Sequence, residues 1–121
     1  MRKNILVADD DPAVLRLIGD VLQGPDYRVV PASNFASAIT LWSVDTFDLA
    51  IIDYKLADES GVDLAEYIFA HDRVTPIIII SGFLPEFIPL SREIRQHVHF
   101  LGKPFAAAEL RELVSALLAS P

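Results

Sequence analysis

Two hydrophobic rhythms alternate along this chain. Short, mostly apolar runs at Asn4 to Ala8, Tyr27 to Val30, Phe47 to Ile52, Pro76 to Ile80 and Val98 to Leu101 read as strands. Between them, apolar residues recur at helical spacing. Val14, Leu17, Ile18 and Val21 define the first such set, and Phe35, Ile39 and Trp42 the second. Val62, Ala65, Ile68 and Phe69 form the third, and Leu110, Leu113, Val114 and Leu117 the last. Asp11 and Pro12 suit a helix start, Gly24-Pro25 a stop, and Ser33 the cap of the second helix. After the fourth strand the rhythm breaks at Gly82 to Pro89, which holds Pro85 and Pro89. A proline inside a helix costs about 3 kcal/mol. The segment is therefore expected to be a long loop, with Pro89 in the first turn of a short helix ending near Gln96. Phe83, Leu84, Phe87 and Ile88 can be core or an exposed apolar patch for a partner; they are expected to be mostly buried, and Trp42 to lie in the core.

Strand followed by helix, five times over, predicts an α/β fold with a parallel sheet covered on both faces. Right-handed crossovers leave few topologies. The flavodoxin-like three-layer (βα)5 sandwich, with five strands in the order 2-1-3-4-5, is the natural choice at this length. The 121 residues suit one domain spanning 1–121, with no effector domain in this chain.

Composition sharpens this picture in a few ways. Hydrophobic residues make up 52%, enough for a core. The longest purely apolar run, Ile77 to Ile80, is far short of the ~20 residues of a membrane span. The start has no signal-peptide pattern, so a cytoplasmic location and no membrane partner are expected. A net charge of −7 argues against direct nucleic-acid binding. Cysteine is absent, which removes thiolate and disulfide chemistry. The spacing of His71, His97 and His99 fits no standard metal site.

The chemistry lies where the strands end. Asp9 and Asp10 follow the first strand, Asp53 the third, Ser81 the fourth, and Lys103 comes just after the fifth. In the order 2-1-3-4-5, strands 1 and 3 are neighbours at the switch point, where open α/β sheets place ligands. Taken singly, Asp53 can merely cap a turn, Ser81 a helix, and Lys103 can be an ordinary surface lysine. Two carboxylates about 4 Å apart repel by roughly 4 kcal/mol at an effective dielectric near 20. Such a cluster keeps a proton or takes a cation, and hard oxygen ligands suit Mg²⁺.

Together these residues resemble the response-regulator receiver domains of two-component signalling, of the chemotaxis-regulator type. The resemblance covers essentially the whole chain. Asp9-Asp10 is similar to the family's acidic pair, and Asp53 through Gly61 to its phosphoacceptor motif. Ser81 matches the switch hydroxyl, and Lys103-Pro104-Phe105 the Lys-Pro-Phe motif. The resemblance implies that Asp53 accepts a phosphoryl group from a histidine kinase or histidine phosphotransfer protein. It further implies Mg²⁺ held by Asp9, Asp10, Asp53 and the Lys55 backbone carbonyl, with Lys103 pairing Asp53. Ser81 and Phe100 would be the switch pair, and Lys55 and Phe83 would tune dephosphorylation. A cis bond before Pro104 is usual in the family. No enzymatic activity is implied beyond self-phosphorylation and autodephosphorylation. A downstream effector and a homodimer are the implied partners.

Three features depart from the family pattern. Ala57 replaces a frequent proline, which would loosen the loop slightly. The Pro85 to Pro89 stretch is unusual, and Gln96 to His99 replaces a common Gly-Ala. The Pro85 to Pro89 stretch keeps open a phosphorylation-independent pseudo-receiver as the alternative, while the intact Asp9, Asp10, Asp53, Ser81 and Lys103 argue against it. An aspartate-nucleophile phosphohydrolase would want an acid where Lys55 stands.

Overall fold

The computed structural model describes residues 2–119, so residues 1, 120 and 121 of the expected domain lie outside the described residues. The elements run β1 (Lys3–Ala8), α1 (Pro12–Val21), β2 (Tyr27–Ala32), α2 (Phe35–Val44) and β3 (Leu49–Asp53). A small hairpin of β4 (Lys55–Leu56) and β5 (Glu59–Ser60) precedes α3 (Gly61–His71). Then come β6 (Ile77–Ser81), α4 (Arg92–Arg95), β7 (Val98–Gly102) and α5 (Ala107–Leu118). The main sheet is parallel in the order β2-β1-β3-β6-β7. Setting the hairpin aside, this is the expected order 2-1-3-4-5.

Strand period two divides the core. Leu6, Ala8, Ala50, Ile52, Ile77, Ile79 and Val98 point to the face covered by α2 and α3. Ile5, Val7, Leu49, Ile51, Ile78, Ile80 and Leu101 point to the face covered by α1 and α5. Because both faces are covered, β3 and β6 are buried at every position and need no polar alternation. Pro31, which cannot donate to a ladder, falls on the edge strand β2 opposite Val7.

Several local expectations change. The cap of α2 is Asn34, not Ser33. Asn34 Oδ1 accepts from Ser37 N–H at 2.7 Å, and the Asn34 N–H donates to Ser37 Oγ, a reciprocal pair that Ser33 has no means to make. Trp42 is only partly buried, stacking on Phe47 at 5.6 Å with its ring nearly parallel. Leu17 is half exposed, whereas Ile18 on the same helix is buried.

The proline segment differs most. Pro85–Phe87 form one turn of 3₁₀ helix, and α4 is a single turn capped by Ser91, so Pro89 lies ahead of the helix rather than in its first turn. Arg95 from α4 reaches back across the segment. Its Nη1 donates to the Pro85 carbonyl at 2.9 Å and its Nη2 to the Ile88 carbonyl. Each of these carbonyls also accepts a backbone N–H, from Ile88 and Leu90 respectively, so the guanidinium adds a second donor that ties the segment to α4. Ile88 alone is driven into the core, at 1% exposure. Phe83, Leu84 and Phe87 stay 58, 59 and 70% exposed, against the expectation of burial. Ile88, the C-cap of the turn, faces the core, while the turn's own residues stay outside it. The expected end of the helix at Gln96 agrees, since Gln96 is its C-cap.

Among the described residues no helix is long and apolar enough to cross a membrane.

Ile88→Ala should lower stability by about 2–4 kcal/mol, whereas Phe87→Ala should stay within about 0.5 kcal/mol. Urea unfolding of the two variants checks this; equal losses would show that Phe87 packs as firmly as Ile88.

Candidate functional site

The register brings the strand ends together. Asp53 is the last residue of β3 and lies opposite Ile80 of β6. Asp9 follows β1 and is held by its N–H on the Ala32 carbonyl at 3.0 Å. Ser81 ends β6 and pairs with Gly102, and its carbonyl accepts from the Lys103 N–H at 2.9 Å. Asp9, Asp10 and Asp53 each offer a carboxylate oxygen within 4.8 Å of the others. Asp9 and Asp53 are buried at 2 and 6% exposure, and Asp10 is exposed.

Each carboxylate is only partly satisfied. Asp9 Oδ1 accepts from the Asp11 N–H at 2.9 Å, while its buried Oδ2 has no partner. Asp53 Oδ2 accepts from the Lys55 N–H at 3.0 Å. Asp53 Oδ1 lies 2.5 Å from Lys103 Nζ and receives no other donor among the described residues. Burial pushes the Asp9 carboxyl up to about 6. The Asp11 amide opposes that rise, and the charge of Asp53 adds to it. Burial acts to lower Lys103, but its hydrogen bond and charge pairing with Asp53 win and hold it above its usual value. Three acids, one an orphaned buried oxygen, therefore face a single cation. Hard oxygen donors short of positive charge fit a divalent ion such as Mg²⁺.

Two backbone features seat Asp53. A Cβ on Gly61 would lie 2.1 Å from the Asp53 carbonyl oxygen and 2.9 Å from Ile52, so no side chain fits there. The Gly61 N–H donates to the Tyr54 carbonyl at 2.7 Å, closing the loop over that contact. Between them the chain makes the tight β4–β5 hairpin rather than a loosened loop. Ala57 sits at its tip with φ 56°, a left-handed value that the proline ring, fixed near −65°, is unable to adopt.

The remaining candidates fall around this cluster. Ser81 Oγ is buried and accepts from the Phe83 N–H at 2.8 Å. Phe100 lies on β7 opposite Ile79, half buried against the α2–α3 core. Lys55 is exposed on β4, with its N–H tied to Asp53. The Lys103–Pro104 bond is cis. A recess of about 210 Å³ is lined by Asp53, Tyr54, Lys55, Ser81, Phe83 and Lys103, among others. Tyr54 was not singled out by the sequence, where it reads as the first polar-loop residue after a strand. A larger open groove of about 640 Å³ between α1 and α5 contains none of these side chains. The histidines do not gather. His71 contacts the Tyr67 carbonyl and His97 the Phe69 ring, on different elements.

Known proteins share this fold and sequence pattern. The profile of the response regulator receiver domain matches residues 5–115, and the chain belongs to that family. Response regulator protein PilR of Pseudomonas aeruginosa is 31% identical over 117 residues, which are 97% of this chain but 26% of PilR. The chain thus spans about a quarter of that relative's length. Sporulation initiation phosphotransferase F of Bacillus subtilis is 26% identical, with 98% of this chain and 95% of that protein covered. The response regulator TrrA of Thermotoga maritima, solved in complex with Mg²⁺ and BeF, superposes with a TM-score of 0.82 at 28% identity, covering 96% of this chain and 99% of TrrA. Receiver domains are signalling domains of two-component systems rather than conventional enzymes.

Asp9 carries a stability cost that depends on pH. Its folded value lies above the unfolded one, so its contribution is favourable below about pH 4 and is lost as pH rises through about 6. Without divalent cations, Asp9→Asn should stabilise the fold by roughly 2–3 kcal/mol at pH 7.5, and the gain should vanish near pH 4. Thermal melts at the two pH values check this, and a gain independent of pH would remove the electrostatic account. Gly61→Ala should cost at least about 2 kcal/mol, because the new methyl meets backbone rather than a movable side chain. Denaturant titration reads it directly.

Proposed function

We propose that this chain is a phosphoacceptor receiver in which Asp53 takes a phosphoryl group from a histidine kinase or histidine phosphotransfer protein. The observation that supports this best is the convergence at one sheet edge of a buried carboxylate, two further acids, a hydroxyl and an ammonium. Among the described residues Asp53 Oδ1 has Lys103 as its only donor, so the same ammonium is placed to neutralise a phosphorylated Asp53. Asp9, Asp10, Asp53 and the Lys55 carbonyl would hold Mg²⁺, which supplies charge neutralisation for a phosphoryl group when bound.

The chain's own residues do the rest. Asp53 is the nucleophile. Lys103 holds its carboxylate, and Ser81 gives up its bond from Phe83 to donate to a phosphoryl oxygen. Phe100 turns inward as Ser81 moves. Lys55 and Phe83, on the rim, set how fast water removes the group. The added charge of about −1.5 to −2 then shifts a surface read by a downstream effector or output domain, or by a second copy of the chain. The chain acts as one domain, in the cytoplasm, away from membrane and nucleic acid. The acids, hydroxyl and ammonium gathered at one sheet edge support this reading over a phosphorylation-independent interaction module.

Incubation with Mg²⁺ and acetyl phosphate should add one phosphoryl mass to the intact protein. Asp53→Asn, or removal of the metal by a chelator, should abolish the gain. Labelling that survives Asp53→Asn would assign the acceptor elsewhere.

A further inference from the structure

The Asp53 recess is walled on one side by two aromatic rings whose contact the phosphoacceptor chemistry above does not use. The rings of Tyr54 and Phe83 meet edge to face, with centroids 5.6 Å apart and planes at 79°. They differ in how they are held. Tyr54 is half buried and packs against the α2–α3 core, so it is anchored. Phe83 is 58% exposed, on the strap whose far end is pinned by Arg95 and Ile88. Its backbone has one local tether, the N–H bond to Ser81 Oγ at 2.8 Å. The contact with Tyr54 is the one aromatic pairing of its ring among the described residues.

Volume alone does not keep water from Asp53. At about 30 Å³ per liquid water, a recess of 210 Å³ has room for several molecules. What water reaches therefore depends on where the Phe83 ring lies. A mostly exposed phenylalanine samples several rotamers, and only a neighbour of fixed position selects one. We propose that Tyr54 is a positioning residue for the phosphoryl-bearing site, holding the Phe83 ring across the mouth of the Asp53 recess and so lengthening the life of the acyl phosphate.

The proposal rests on the reading of Asp53 as acceptor. In that reading Ser81 turns toward the phosphoryl group, and the Phe83 N–H then loses its acceptor. The ring contact with Tyr54 is the tether that remains near the site, so Tyr54 matters most in the phosphorylated state. An edge-to-face aromatic contact biases a rotamer population by roughly two- to tenfold, which sets the size of the effect.

The test is the decay of phosphoryl label, followed by intact mass after acetyl phosphate and Mg²⁺ are removed by rapid desalting. Tyr54→Ala should speed decay about two- to tenfold, and Tyr54→Leu, which keeps bulk in the core, should do the same. Tyr54→Phe, which keeps the ring, should retain the wild-type rate. Phe83→Ala should speed decay as well, and adding Tyr54→Ala to it should change nothing further. Additive effects in that cycle, or wild-type decay in both Tyr54→Ala and Tyr54→Leu, would overturn the proposal while leaving Asp53 as acceptor. A wild-type chain that takes no label with any phosphodonor would remove the acceptor reading, and this proposal with it.

Discussion

The ion pair between Lys103 and Asp53 is the interaction on which the site depends. Two carboxylates, Asp9 and Asp53, are almost wholly withdrawn from water at one end of the sheet. Burying one unpaired charge is already expensive, and burying two like charges together is more so. One ammonium, only partly withdrawn from water itself, is set against them. It pairs with Asp53 and not with Asp9, whose proton affinity rises because its carboxylate is buried. The cluster is thus left short of positive charge by design of the fold, and a cation or a proton completes it. Stability and function pull in opposite directions here, as they commonly do where a site is organised before its ligand arrives.

The architecture that makes this possible was plain in the sequence. Ile77 to Ile80 is apolar without a break because β6 is an interior strand of a sheet covered on both faces. The same holds for Leu49 to Ile52. Once those two runs are central parallel strands, Asp53 and Ser81 must come out at the same edge, and Asp9 and Lys103 follow by strand order. Residue type and topology together therefore foretell where these side chains converge. What they left hidden is local. Choosing Asn34 over Ser33 turns on a bond that only Ser37 could return. The role of Gly61 is a close approach to the Asp53 carbonyl, a distance that spacing does not encode. Ala57 at φ 56° has no sequence signal at all, since alanine does not advertise a left-handed turn.

The strap from Phe83 to Leu90 was misread for a different reason. Four large apolar residues in six positions argue for burial, and in a helix at least two would have turned inward. The prolines forbid that helix, and short local backbone bonds with the Arg95 guanidinium hold the strap in another shape. Hydrophobicity counted by residue type is then a poor guide, because backbone conformation decides which side chain faces the core. Ile88 does, and its neighbours Phe83, Leu84 and Phe87 do not.

The strict division of the core has a mechanical meaning. Ala50 and Ile52 belong to one face while Leu49 and Ile51 belong to the other, and the sheet between them is a wall one residue thick. Among the described residues the buried apolar side chains fall into two separate clusters, one on each side of that wall. Asp53 and Ser81 end adjacent strands at its rim, and Lys103 comes one residue past the end of a third. A load applied at the rim bears on strands whose side chains line both layers, so neither layer stands apart from it.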